Sequence, residues 1–302
     1  MLDLAVKTAP SKVVSPHQDQ AVKLPDSFNY IGVFLTFRCP YSCSYCINRF
    51  DDRNPRSVEL SGREWISFFD RLDTRDIPVT LQGGEPGCHP DFVEIVTETL
   101  KNHHVDILTT LAFDLGKFVD HVNPAQMNRV APYAPIRISY HPEQHDFQEV
   151  LEKTIFLQNH GFRVGLYGVL HPDHLTAIEH AVFICADLGV DFRTKQFLGW
   201  HHGVLYGEYA YPGVSAEGNK TSWCECAPTE LLVAPDGAIH RCHSYLYAGL
   251  PPLGHVRDSR LMLANDYLAC NRFGACNPCD LKVKNNRFQQ FGHVSARIRN
   301  IR

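Results

Sequence analysis

From residue 30 onward, apolar β-branched runs alternate with stretches whose apolar residues recur at helical spacing. The runs predict strands over 30–37, 77–82, 106–110, 136–140, 162–170 and 191–198. Between them the period predicts helices over 62–72, 90–103, 116–130, 147–159 and 175–188, with Ser61 as N-cap of the first and Gly189 as C-cap of the last. Strands that are apolar throughout and joined by helical crossovers imply a parallel sheet covered by helices. Periodicity leaves open whether that sheet is doubly wound or a partial barrel. Past residue 199 the pattern gives way to aromatics, glycines and cysteines. One hairpin stands out there, 231–234 turning at Pro235-Asp236-Gly237 into 238–241.

Composition narrows the class. The 302 residues are 44% hydrophobic, enough for a sizeable core, and the formal net charge of −4 offers no broad positive field for nucleic acid. No apolar run approaches the roughly 20 residues needed to span a bilayer, and the first 30 residues lack a signal-peptide core. A cytoplasmic protein with no membrane partner is therefore expected. Eleven cysteines in such a chain point to metal chemistry. The expected organisation is an arm over 1–29, an α/β domain over 30–199, a cysteine-rich domain over 200–285 and a tail over 286–302.

Cys39, Cys43 and Cys46 follow the first predicted strand directly, so three thiolates share one loop. Three thiolates can hold a cubane iron-sulfur cluster and leave one iron free for a small molecule, whereas a closed electron-carrying cluster uses four. Zinc or incidental burial are the bland alternatives. The Cys-x3-Cys-x2-Cys spacing, with Tyr45 before the last cysteine, resembles the signature of the radical S-adenosylmethionine (radical SAM) superfamily. Gly83-Gly84-Glu85-Pro86, at the end of the second predicted strand, looks like that family's GGEP motif.

The resemblance implies a partial (β/α)6 TIM-like barrel, a [4Fe-4S] cluster on Cys39, Cys43 and Cys46, and S-adenosylmethionine. It also implies that Gly83, Gly84, Glu85 and Pro86 contact the cofactor, with Glu85 facing its amino group, and that Ser139 touches its ribose or carboxylate. Thr109-Thr110 stands where relatives often have Thr-Asn-Gly. By period two, Arg137, Ser139 and His141 share a strand face.

The second group is Cys224, Cys226, Cys242, Cys270, Cys276 and Cys279. A Cys-x2-Cys pair facing a hairpin cysteine can close a four-thiolate site and organise a segment too short for its own core. A zinc ribbon is one reading. Beside a radical SAM barrel, the Gly237-x4-Cys242 pattern resembles the auxiliary-cluster extensions called SPASM and twitch domains. That resemblance implies a second, auxiliary [4Fe-4S] cluster on Cys242, Cys276, Cys279 and either Cys224 or Cys226. Cys270 is an alternative ligand or a buried thiol; Cys88 and Cys185 are expected to be packing.

The implied activity is reductive cleavage of S-adenosylmethionine and hydrogen abstraction from a small polar substrate, with flavodoxin or ferredoxin as reductant. A peptide-modifying maturase is the rival within the class; only 38 residues precede Cys39, with no pattern of a peptide-recognition domain. A non-catalytic zinc or iron-sulfur module would explain the cysteines and leave the GGEP unexplained. His171, His201 and His202 follow the fifth and sixth strands and are candidate proton acceptors. Arg193 and Lys195 share a face, suited either to an anionic group or to an ion pair.

Overall fold

A computed structural model of the chain describes residues 20–48, 58–211, 221–283 and 292–302. Most of the expected arm, residues 1–19, lies outside the described residues, as do residues 286–291 of the expected tail. Six parallel strands form the main sheet: β1 (Tyr30–Thr36), β2 (Val79–Gly83), β3 (Val105–Thr109), β4 (Ile136–Tyr140), β5 (Val164–Leu170) and β6 (Phe192–Gln196). They pair in chain order with no reversal. That order removes the doubly wound alternative, which requires a switch point.

Five helices cross between the strands: α1 (Gly62–Arg71), α2 (Phe92–Thr99), α3 (Leu115–His121), α4 (Phe147–Asn159) and α5 (Leu175–Asp187). Ser61 caps α1 in a reciprocal capping box with Glu64, and Gly189 beyond α5 has φ +68°, a conformation glycine adopts without strain. The helix expected over 116–130 is shorter. It stops at His121, and Asn123 caps a separate turn, Pro124–Met127, because a proline lacks the N–H that would continue the first helix.

Alternate strand residues divide the molecule. Ile31, Val33, Leu35, Val79, Leu81, Ile107, Ile138 and Leu166 join Trp65, Phe68, Ile95, Phe118 and Leu157 of the helices in one core. The opposite strand face is polar, and its residues touch across the ladder. Tyr30 donates to Gln82 Oε1 at 2.9 Å, Arg137 pairs with Asp106 at 3.0 Å, and the Lys195 ammonium lies 4.8 Å over the Tyr167 ring.

Past residue 199, part of the chain returns to the main sheet. After a small hairpin, β7 (Gly199–His201) and β8 (Val204–Tyr206), strand β9 (Ser222–Pro228) leads into β10 (Glu230–Val233), which pairs in parallel with β1. Strands β11 (Ala238–His240) and β12 (Gly254–His255) extend that edge, so the hairpin read from Pro235-Asp236-Gly237 completes the main sheet. Helix α6 (His243–Tyr247) precedes β12; β13 (Leu268–Phe273), helix α7 (Pro278–Leu281) and β14 (Ala296–Arg299) follow it. The expected tail is structured where described, since β14 and β13 flank β9 in a three-stranded antiparallel sheet. No described helix is long and apolar enough to cross a membrane.

Asp106 is the anchor of the polar face. It is buried, with Arg129 Nη1 at 2.6 Å from one oxygen and Arg137 Nη2 at 3.0 Å from the other. Asp106→Asn keeps the volume and leaves two guanidiniums without their counter-charge. It should cost roughly 3–5 kcal/mol of unfolding free energy, read by urea denaturation; a loss under about 1 kcal/mol would show that the arginines find other partners.

Candidate active site and metal centres

The loop carrying Cys39, Cys43 and Cys46 leaves the C-terminal end of β1 and is tied down on three sides. Glu143 accepts from the Ser44 N–H at 2.5 Å and from its hydroxyl at 2.9 Å, while Gln144 accepts from the Ser42 N–H at 3.2 Å. Tyr45 Oη is 3.1 Å from His141 Nδ1 and its ring stacks on His171 at 5.1 Å. Asn48 donates to Gly83 O at 3.2 Å, accepts from Tyr247 at 2.5 Å, and Asn277 donates to Ile47 O at 3.1 Å. All three cysteines are free thiols, from half-buried to exposed. Burial, together with the neighbouring Cys46, pushes the Cys43 thiol up to about 12.

The Gly83-Gly84-Glu85-Pro86 turn is pressed onto that loop. Gly84 N–H donates to Thr36 O at 3.0 Å and Glu85 N–H to Arg38 O at 2.8 Å. A Cβ on Gly83 would collide with Thr36 O, and one on Gly84 with the carbonyls of Phe37 and Arg38. Both glycines are therefore required by the approach of two protein backbones. Pro86 opens a single helical turn that Glu85 caps.

The Glu85 carboxylate is fully buried and turned inward. One oxygen accepts from Thr109 Oγ1 at 2.7 Å and Gly87 N–H at 2.9 Å; the other accepts from Thr110 N–H at 2.5 Å and Thr110 Oγ1 at 2.7 Å. Burial pushes its carboxyl up, and those four donors pull it back. Its carboxylate joins the ends of β2 and β3.

Lys195 and the histidines line the mouth above the polar strand face. Ser139 is half-buried and in register with Tyr167. Lys195 is exposed, with its ammonium 4.8 Å over the Tyr167 ring. Arg193 is spent on Asp191 at 3.1 Å, so the two basic residues of β6 do different things. Burial holds His141 down to about 4, with His145 and Lys195 adding to the effect. His171 is buried and packs on Tyr45, Phe197 and His201. His201 Nε2 lies 3.1 Å from Asp173 Oδ1. His202 follows, its ring 4.1 Å from that of His201. With Gly203 it forms the two-residue turn between β7 and β8, both at positive φ (46° and 76°), and it is exposed.

In the C-terminal region, Cys224, Cys226, Cys242, Cys270 and Cys276 line one cavity. Cys224 and Cys270 are opposite each other in the β9–β13 ladder, and Arg241 Nη2 donates to Cys226 Sγ at 3.1 Å. A hydrogen bond from Cys226 holds the Cys270 thiol below its ordinary range. Asp280 braces the cavity wall, accepting from His243 and Ser244 through both their N–H groups and side chains. Cys279 is not part of the lining. Among the described residues no three cysteine sulfurs come within 4.8 Å of one another.

The family model described as the radical SAM superfamily matches residues 33–183, half of the chain. The chain belongs to the radical SAM superfamily. That membership implies a [4Fe-4S] cluster and S-adenosylmethionine, and the three free thiols beside the glycine turn fit that pair. The chain is similar to the solved structure of anSMEcpe with bound AdoMet, at 12% identity and TM-score 0.50, covering 76% of this chain and 78% of that one. It is also similar to anSMEcpe with AdoMet and the Kp18Cys peptide, at 11% identity and TM-score 0.50, covering 79% and 78%. Against Streptococcus suis SuiB bound to the precursor peptide SuiA, identity is 13% and TM-score 0.43. That match covers 77% of this chain and 64% of SuiB, so the chain spans under two thirds of SuiB's length.

For this radical SAM chain the sequence singled out the cysteine loop and the glycine turn. It missed the work of Thr109 and Thr110 and Asp173 beside His201. Only the Asp173 spacing, two residues after His171, carried a signal. Replacing Glu85 by Gln turns an N–H2 toward two donors. Stability should fall by about 2–3 kcal/mol along with cofactor affinity, measured by denaturant titration and equilibrium dialysis with S-adenosylmethionine. Lost affinity at unchanged stability would instead show a direct contact with the cofactor's amino group.

Proposed function

We propose that this chain is a radical SAM enzyme on a partial (β/α)6 barrel that abstracts hydrogen from a small polar substrate at the mouth. The observation that carries the reading is the locking of the Cys39, Cys43 and Cys46 loop to the Gly83-Gly84 turn through Thr36 and Arg38. The three cysteines would ligate three irons and leave the fourth open. Bound together, cluster and cofactor supply one-electron cleavage of the sulfonium bond to a 5'-deoxyadenosyl radical, which takes the substrate hydrogen. The chain's own residues position and enclose. Asn48 and Tyr247 hold the turn against the loop, Ser139 offers a hydroxyl, and Lys195, open to the lumen and without a carboxylate partner among the described residues, suits an anionic group of the substrate.

Four of the five cavity cysteines, Cys224, Cys226, Cys242, Cys270 and Cys276, would hold an auxiliary [4Fe-4S] cluster, with Cys279 left as a thiol outside the cavity. Flavodoxin or ferredoxin is the proposed electron donor. A peptide substrate is the second reading, favoured by the Kp18Cys peptide bound in the anSMEcpe structure to which this chain is similar.

Replacing Cys39, Cys43 and Cys46 together by alanine should abolish dithionite-dependent formation of 5'-deoxyadenosine; retained cleavage would remove the assignment. The reconstituted protein should hold about eight irons per chain, falling to about four in Cys242→Ala/Cys276→Ala and staying near eight in Cys279→Ala. About four irons and one zinc in the unmodified protein would replace the auxiliary cluster with a structural ribbon.

A further inference from the structure

Behind Tyr45, donors from two separate segments converge. A ring nitrogen of His171, a carboxylate oxygen of Asp173 and a ring nitrogen of His201 all lie within 4.8 Å of one another. His201 Nε2 is 3.1 Å from Asp173 Oδ1, and His171 Nδ1 is 3.8 Å from Asp173 Oδ2. Three donors around one first-row ion at ordinary bond lengths of about 2.0–2.2 Å stand roughly 3–3.5 Å apart, so small side-chain rotations close this set. His171 follows the end of β5, Asp173 sits in the single turn Pro172–His174, and His201 ends β7. The His171 ring is held by Tyr45 at 5.1 Å and by Phe197 at 4.6 Å.

We propose that His171, Asp173 and His201 bind one divalent transition-metal ion at the mouth, separate from both cysteine sites. Two imidazoles and one carboxylate suit iron(II), manganese(II), nickel(II) or zinc, and leave coordination positions open. Calcium and magnesium prefer oxygen ligands throughout. The neighbouring rings do not join the set. His174 Nε2 is 3.8 Å from Glu143 Oε2, on the side of the cysteine loop, and His202 is the turn residue of its hairpin. Binding replaces the 3.1 Å contact of His201 Nε2 with Asp173 Oδ1 and the long one, 3.3 Å, from Asp173 N–H to His171 Nδ1 by bonds to the ion. With the ion in place both imidazoles are ligands, and neither is the free proton acceptor expected from sequence. Its open positions would take an oxygen of the substrate; that step alone rests on the proposed reading of the mouth.

The test is a titration of the cluster-loaded protein with Mn2+, followed by loss of the free-ion EPR signal. Manganese avoids thiolates and so ignores the cysteine sites. One equivalent should bind. His201→Ala and Asp173→Ala, which alter partly exposed side chains on different elements, should each weaken binding at least about tenfold. His174→Ala should leave it unchanged, and iron content and circular dichroism should match the parent in all three. Nickel, followed by equilibrium dialysis, provides a second ion. Failure of both ions to bind, or binding that survives His201→Ala and Asp173→Ala, overturns the site. Because the readout is ion binding, it is independent of whether S-adenosylmethionine is cleaved.

Discussion

The buried Glu85 carboxylate holds the mouth together. It belongs to the turn after β2, and its four donors come from that turn and from Thr109 and Thr110 at the end of β3. The backbone of the same turn donates to Thr36 and Arg38 at the end of β1. Three adjacent strands are thus joined at their C-terminal ends by one charged side chain and two side-chain-free residues. A buried carboxylate is costly unless every lone pair is used, and here the required donors can be supplied only when those strand ends are in place. The cysteine loop, which leaves β1 at this point, inherits its position from that arrangement.

The C-terminal region fastens the same loop from the other side. Tyr247 reaches Asn48, and Asn277 reaches Ile47 O. Both come from the segment that also builds the five-cysteine cavity, so one segment serves the cysteine loop and that cavity. Asp280 repeats the Glu85 device there, with a buried carboxylate satisfied by His243 and Ser244 on a neighbouring helix. Burial alone would raise its carboxyl, yet the hydrogen bonds from His243 and Ser244 outweigh that and hold it below the usual carboxylate range. Pairing of β10 with β1 then makes the cysteine-rich region an extension of the main sheet.

Local signals predicted much of this. The helix over 147–159 and the strand over 136–140 have the expected bounds, because an amphipathic period and an apolar alternation are properties of consecutive residues. Ser61 and Gly189 act as the caps their types suggest. The cysteine spacing and the glycine pair were legible for the same reason: both lie within one loop. The work of Glu85 was not, since its partners are 24 and 25 residues away. Neither was the grouping of Cys270 with Cys224, which depends on a ladder between strands some 46 residues apart.

The sequence by itself determined the parallel α/β core, the three-thiolate loop and the family to which the chain belongs. Each is written in short-range spacing that folding cannot rearrange. Only the tertiary structure decided which way the polar groups face. It turned Glu85 inward, set Lys195 over Tyr167 while Arg193 took Asp191, left Cys279 outside the cavity, and gathered His171, Asp173 and His201. Those outcomes depend on which strand ends meet, and a period of two fixes a side chain's face without naming its partner across the sheet.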